Sequence, residues 1–164
     1  MFSMLNLQTS LTIVFTAFLA ACTSSQGVSA DTIPTRWQFE SYACAFECDP
    51  MLEQVLKPRL GQLLDFNAPQ KGFDLFSECR GILRLNKVRL GNKKVIDELN
   101  QTTPPDQQFT RENTGLKNST LMTAQAICHQ NEKKSSTFWV VSLTGETMKV
   151  YFEGASFLNF KAID

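Results

Sequence analysis

The hydrophobic positions of this chain change their spacing along its length. Leu11 to Ala21 (LTIVFTAFLAA) is an apolar run of eleven residues. From Arg36 to Phe46 (RWQFESYACAF) the pattern alternates, with Trp37, Phe39 and Ala43 on one parity, and the aromatic content supports a strand. Asp49-Pro50 then has the form of a helix start: the carboxylate can cap free N–H groups, and proline at the first helical position lacks only a hydrogen that would go unused. Leu52, Val55, Leu56, Leu60, Leu63 and Leu64 follow at helical spacing and predict a buried stripe, with Pro58 kinking or splitting the helix near Lys57 and Asn67-Ala68-Pro69 ending it.

Phe73–Glu78 fits neither period. Ile82 to Leu99 reads as a hairpin turning at Gly91-Asn92, in which Leu83, Leu85, Val88 and Leu90 share a face only with a bulge near Asn86-Lys87. Asn100 to Thr120 is polar, holds Pro104-Pro105 and has Phe109 as its single aromatic, so an exposed loop is expected there. Leu121–Gln130, Thr137–Leu143, Thr147–Glu153 and Ser156–Ile163 read as strands, the last three joined by turns at 144–146 and 154–155. The predicted product is an α+β domain: one main Pro-kinked helix packed on an antiparallel sheet or small barrel, with a C-terminal β-meander. Phe157 and Phe160 lie on opposite parities of the last strand, so one of them faces outward unless the sheet is covered on both sides.

Composition sharpens this picture in one respect. The 164 residues carry 16 basic and 16 acidic side chains, and a formal charge of zero removes the long-range attraction behind most nucleic-acid binding. The charge is unevenly placed. Residues 1–30 have none, and the first is Asp31. The apolar run falls short of the ~20 residues a spanning helix needs and matches the core of an export signal.

Directly after the run stand Leu19-Ala20-Ala21-Cys22. This tetrapeptide resembles the lipobox of bacterial lipoproteins. The resemblance implies cleavage after Ala21, lipidation of Cys22, and a mature chain beginning at that cysteine. Thr23 in place of Asp implies the outer membrane. The segment ahead of the run lacks the usual Lys or Arg. The alternative is an ordinary signal cut after Val28-Ser29-Ala30, which gives a soluble secreted or periplasmic form. The expected organisation is a signal peptide over 1–21, a lipidated cysteine and tether over 22–35, and a single periplasmic domain over 36–164.

Five cysteines become four once Cys22 takes lipid. Cys44, Cys48, Cys79 and Cys128 are enough for two disulfides in an oxidising compartment. Of the three connectivities, the expected one sends one of the Cys44/Cys48 couple to Cys79 and the other to Cys128; Cys44–Cys48 requires a turn. A CxxxC metal half-site or redox pair is the competing reading. It is disfavoured because a second ligand couple would have to come from Cys79 with Cys128 or His129, fifty residues apart. No metal or cofactor is expected.

Candidate chemistry is sparse. His129 is the single histidine, and its neighbour Cys128 is expected to be bonded and so unable to act as a nucleophile. No G-x-S-x-G, S-x-x-K, H-E-x-x-H, Walker or G-x-G-x-x-G pattern occurs. Arg80, Arg84, Lys87, Arg89, Lys93 and Lys94, by contrast, fall within fifteen residues free of acid. Such a stretch is either a solvated basic face or a docking face for an acidic partner or anionic headgroups. Asn100-Gln101-Thr102 and Asn118-Ser119-Thr120 match the N-glycosylation pattern, which matters only in a eukaryotic host.

These features favour a non-catalytic envelope lipoprotein that binds a protein partner, as an inhibitor or immunity factor or as an accessory subunit of an envelope machine. The basic residues and Phe109 are the candidate contacts, and the membrane is met through the lipid anchor. A small-ligand or lipid carrier is the first alternative and a cell-wall hydrolase the second.

Overall fold

The computed structural model describes residues 33–116 and 120–163. The expected signal peptide, Cys22 and the expected tether up to residue 32 lie outside the described residues, as do positions 118 and 119 of the second glycosylation pattern.

One antiparallel sheet of seven strands organises the chain: β1 (Arg36–Cys44), β2 (Leu63–Asp65), β3 (Ile82–Gly91), β4 (Thr120–Gln130), β5 (Lys133–Leu143), β6 (Thr147–Phe152) and β7 (Ser156–Ala162). Their order is β2-β1-β7-β6-β5-β4-β3. From β3 onward the strands form a continuous meander, as expected for the C-terminal third. β1 then pairs with β7, and β2 forms a short outer edge. The remaining regular structure is short: α1 (Pro50–Leu56), α2 (Asn92–Leu99), α3 (Arg111–Thr114) and four 3-10 turns.

The sheet is buried on both faces. On one face Trp37, Phe39, Phe138, Val140, Val150, Leu158 and Phe160 meet Leu56, Leu64, Phe66, Phe73 and Phe76 from the connection between β1 and β3. On the other, Val141 and Phe157 meet Val95, Leu99, Phe109 and Leu116 from the connection between β3 and β4. Adjacent strand residues serve opposite cores, so Phe157 and Phe160 are both fully buried. Ring contacts fill these interiors, including Phe76 stacked on Phe138 at 4.2 Å and Phe73 edge-on to Phe39 and Phe160 at 5.3 Å each.

Several expectations are corrected. Among the described residues there is no main kinked helix. Asp49 does cap α1, its carboxylate accepting from Met51 N at 2.8 Å. Pro58 then tightens the chain into a 3-10 turn, Gly61 reverses it at φ 84°, and Leu63–Asp65 pair with β1. The helical stripe therefore dissolves: Leu56 and Leu64 are buried, whereas Val55, Leu60 and Leu63 are exposed. The segment 82–99 is a strand followed by helix α2, and the chain returns as β4 only after 116. The β3–β4 register runs unbroken from Ile82 to Gly91, so positions 83 and 85 take one parity and 88 and 90 the other.

The polar stretch 100–116 is packed structure with a defined cause. Asn100 acts as a clasp: its Nδ2 donates to Phe109 O at 3.0 Å, and Phe109 N donates to its Oδ1 at 2.7 Å. Thr110 and Asn113 form a capping box at α3. Lys149 Nζ, 5.7 Å from the Phe157 ring centre, donates to Thr114 O at 2.9 Å. Phe109 is only 4% exposed and is removed from the candidate contacts.

Candidate interaction surfaces

Both disulfides form, with a connectivity other than the expected one: Cys44–Cys48 and Cys79–Cys128. The strand order gives the reason. Cys44 ends β1 and Cys128 lies on β4, four strand spacings or ~19 Å apart, well beyond the ~7 Å a disulfide can span between Cα atoms. The chain turns sharply after Cys44, where Ala45 N donates to Ala155 O, and this brings Cys48 to a Cα distance of 5.4 Å. Cys79 approaches β4 just before β3 begins. The next link, Gly81, sits so close that a Cβ there would lie 2.0 Å from the His129 carbonyl oxygen. Cys128 is bonded and His129 is a half-buried ladder residue opposite Ile82 and Lys134, so the two make no catalytic pair.

The basic segment lies along the β3 edge of the sheet and the start of α2. Arg80, Arg84, Lys93 and Lys94 are exposed, while the side chains of Lys87 and Arg89 lie outside the described ones. Among the described residues the ion pairs are Lys57–Glu53 and Arg59–Asp74, so no carboxylate neutralises these four cations. The outer side of β3 is capped at one point, where Leu83 N donates to Phe66 O at 2.7 Å. Beyond it no described backbone group pairs with the strand. Ile82 is 42% exposed at the head of this edge.

The second surface is a groove of about 620 Å³ that opens to solvent, and nothing in the sequence pattern pointed to it. Its position follows from unequal strand lengths. The β5–β6 ladder starts at Trp139 opposite Tyr151, but β4–β5 continues outward to Gln130 opposite Lys133. Residues 133–138 of β5 therefore have β4 on one side and no strand on the other. The groove runs along that side, between Phe76 and Glu78 before β3 and Tyr151 to Glu153 at the end of β6. Its lining includes Glu78 and Glu153 and no Lys or Arg. Burial raises the Tyr151 phenol above its ordinary range by disfavouring the charged form. It is hidden in the sequence, because Thr137–Leu143 and Thr147–Glu153 read as strands of equal length, whereas β5 is eleven residues and β6 is six.

The two ends of the sheet differ. Ile163 N donates to Arg36 O and Ala162 N to Glu146 O, so the chain enters and leaves at one end, where Ile33 also packs against the core. The groove, the β4–β5 turn and both disulfides lie toward the other. Among the described residues no group of three or more His, Cys, Asp or Glu is placed to hold a metal ion, and no helix is long and apolar enough to cross a membrane. Comparison with known proteins finds no matching family model, no similar curated protein and no similar solved structure.

Proposed function

We propose that this chain is a bacterial envelope lipoprotein, anchored to the outer membrane by lipid on Cys22, whose folded domain binds the acidic face of another protein without catalysing a reaction. The observation that carries the reading is the set of exposed, unneutralised cations on a largely unpaired sheet edge. Opposed potentials steer encounter and fix register, and a free edge supplies backbone donors and acceptors to a partner. The partner could be an envelope-active enzyme that the domain inhibits or a subunit of an envelope assembly that it completes. The filled interiors on both sheet faces support a binder over a carrier of apolar ligands, which needs an enclosed cavity.

The test is capture from envelope extract with the full lipidated chain. A stoichiometric protein partner is expected, and its recovery should fall several-fold between low and physiological ionic strength because exposed charges are screened over ~8–10 Å. The variant R84E/K93E/K94E should lose it. Salt-independent recovery, or recovery unchanged by the charge reversal, would refute the basic edge. Intact mass after membrane extraction, with and without reduction, checks the anchor and the two disulfides together.

A further inference from the structure

The β5 edge differs from the β3 edge in charge and in shape. Strand edges are usually blunted by charge, proline or cover. Here Lys133 and Lys134 guard the tip, but the next four residues are Ser135, Ser136, Thr137 and Phe138. The ladder sets which backbone groups are free. A two-residue turn at Asn131-Glu132 makes Gln130 and Lys133 a hydrogen-bonded pair, and Cys128 and Ser135 the next one. The N–H and C=O of Lys134 and Ser136 then point away from β4, those of Ser136 into the groove and those of Lys134 just beyond its lining. The same alternation turns the Leu83 N–H outward and the His129 carbonyl toward β3, as their contacts with Phe66 and Gly81 require.

Three properties coincide along this edge. Outward-facing backbone groups have no described strand partner. Aromatic rings flank them on both faces of the sheet, buried Phe76 and Phe138 on one and half-buried Trp139 and Tyr151 on the other. The lining carries two carboxylates and no cation. We infer that the groove accepts an extended segment of another protein, added to β5 as a strand, carrying alternate apolar side chains and a Lys or Arg placed to meet Glu78 and Glu153. Backbone pairing supplies affinity, the half-buried Trp139 and Tyr151 take the apolar positions on their face, and the carboxylates select the charge. This site is separate from the basic β3 edge and does not rest on that edge being used.

The probe is an array of seven-residue synthetic peptides with alternate Val, each carrying one Arg, Lys, Glu or Gln, offered to the full chain in detergent up to about 1 mM. Trp139 fluorescence reports binding, since Trp139 lines the groove and Trp37 is buried in the core. The Arg and Lys peptides are expected to bind best. N-methylation of the peptide amides that face β5 should weaken them at least about tenfold. Ser136→Pro removes an outward N–H without breaking a backbone bond to β4, although it loses the bond from Gln125 Nε2 to the Ser136 hydroxyl, and should weaken them equally with unchanged circular dichroism.

The double variant E78K/E153K, which alters two exposed side chains, should transfer the preference to the Glu peptide. It keeps the test decisive should the proline variant misfold. Absence of binding across the array, equal binding of the N-methylated peptides, or an unchanged charge preference in E78K/E153K would overturn the inference. So would a sedimentation result showing that the edge is occupied by a second copy of the chain. If S136P still captures the salt-sensitive envelope partner, the β3 reading stands whatever happens to this one.

Discussion

Asn100 clasps the layer that covers the second face of the sheet. Its amide satisfies both backbone groups of Phe109 and so pins a buried ring against Phe46, Tyr151 and Phe157. Truncation to alanine would leave a partly buried N–H and C=O without partners, at a cost of about 1–3 kcal/mol. We expect Asn100→Ala to lower the urea midpoint accordingly, with faster amide exchange over 100–116. Gln101→Ala, at the exposed neighbour, should stay within about 0.5 kcal/mol of the parent. Equal effects from the two variants would show that the clasp contributes nothing. The same bonds engage the Asn100 side-chain amide, the group that glycosylation would modify. Phe109 illustrates the limit of reading single residues. A lone aromatic in a polar, proline-containing stretch looks like an exposed contact, and only the clasp twenty positions ahead of β4 shows it turned inward.

At the level of elements, the two disulfides do unequal work. Cys79–Cys128 closes a separation of 49 residues and ties the head of β3 to β4, whereas Cys44–Cys48 closes a separation of 4 and fixes one turn. In the chain-entropy picture the first contributes about 4 kcal/mol and the second about 2. Replacing Cys79 and Cys128 together by alanine should therefore cost more stability than replacing Cys44 and Cys48 together, by about 2 kcal/mol in denaturant unfolding; the reverse order would contradict this assignment. The elements also show what was legible. The C-terminal strands and their turns were readable because alternation and turn residues agree there: Thr137–Leu143 lies within β5, and 154–155 is the β6–β7 turn. The failures share one cause. Leu60, Leu63 and Leu64 keep helical spacing, but Pro58 and Gly61 break the helix and pairing with β1 decides the outcome. Gly91-Asn92 reads as a hairpin turn, yet the sequence cannot show that β4 waits beyond residue 116 to take the place beside β3. Disulfide pairing failed for the same reason, because strand order and not spacing along the chain sets which cysteines meet.

For the whole molecule, the proposed anchor makes the polarity of the sheet matter. Cys22 and Ile33 are eleven positions apart, a reach of at most ~36–40 Å when fully extended. The chain joins the sheet at the end marked by Arg36, Glu146 and Ala162. β5 runs eleven residues, ~35 Å, from that end to the groove and the β4–β5 turn. A lipid at Cys22 would thus hold the Glu146 end nearest the bilayer and present the groove outward, where a partner's extended segment can reach it. The β3 edge runs along this axis and is open to a partner approaching from the side. The orientation is measurable on vesicles. The variants Glu132→Cys and Glu146→Cys place a donor fluorophore on two exposed sites at opposite ends of the sheet, labelled after the native disulfides have formed. With an acceptor on lipid headgroups, transfer should be distinctly stronger from position 146 than from 132. The difference should disappear in a Cys22→Ser chain, which lacks the anchor. Equal transfer from the two sites in the lipidated protein would mean that the sheet lies flat on the membrane, with the groove and the β3 edge both facing headgroups in place of protein. Stronger transfer from 132 would place the groove against the bilayer and remove strand addition as a role for the β5 edge.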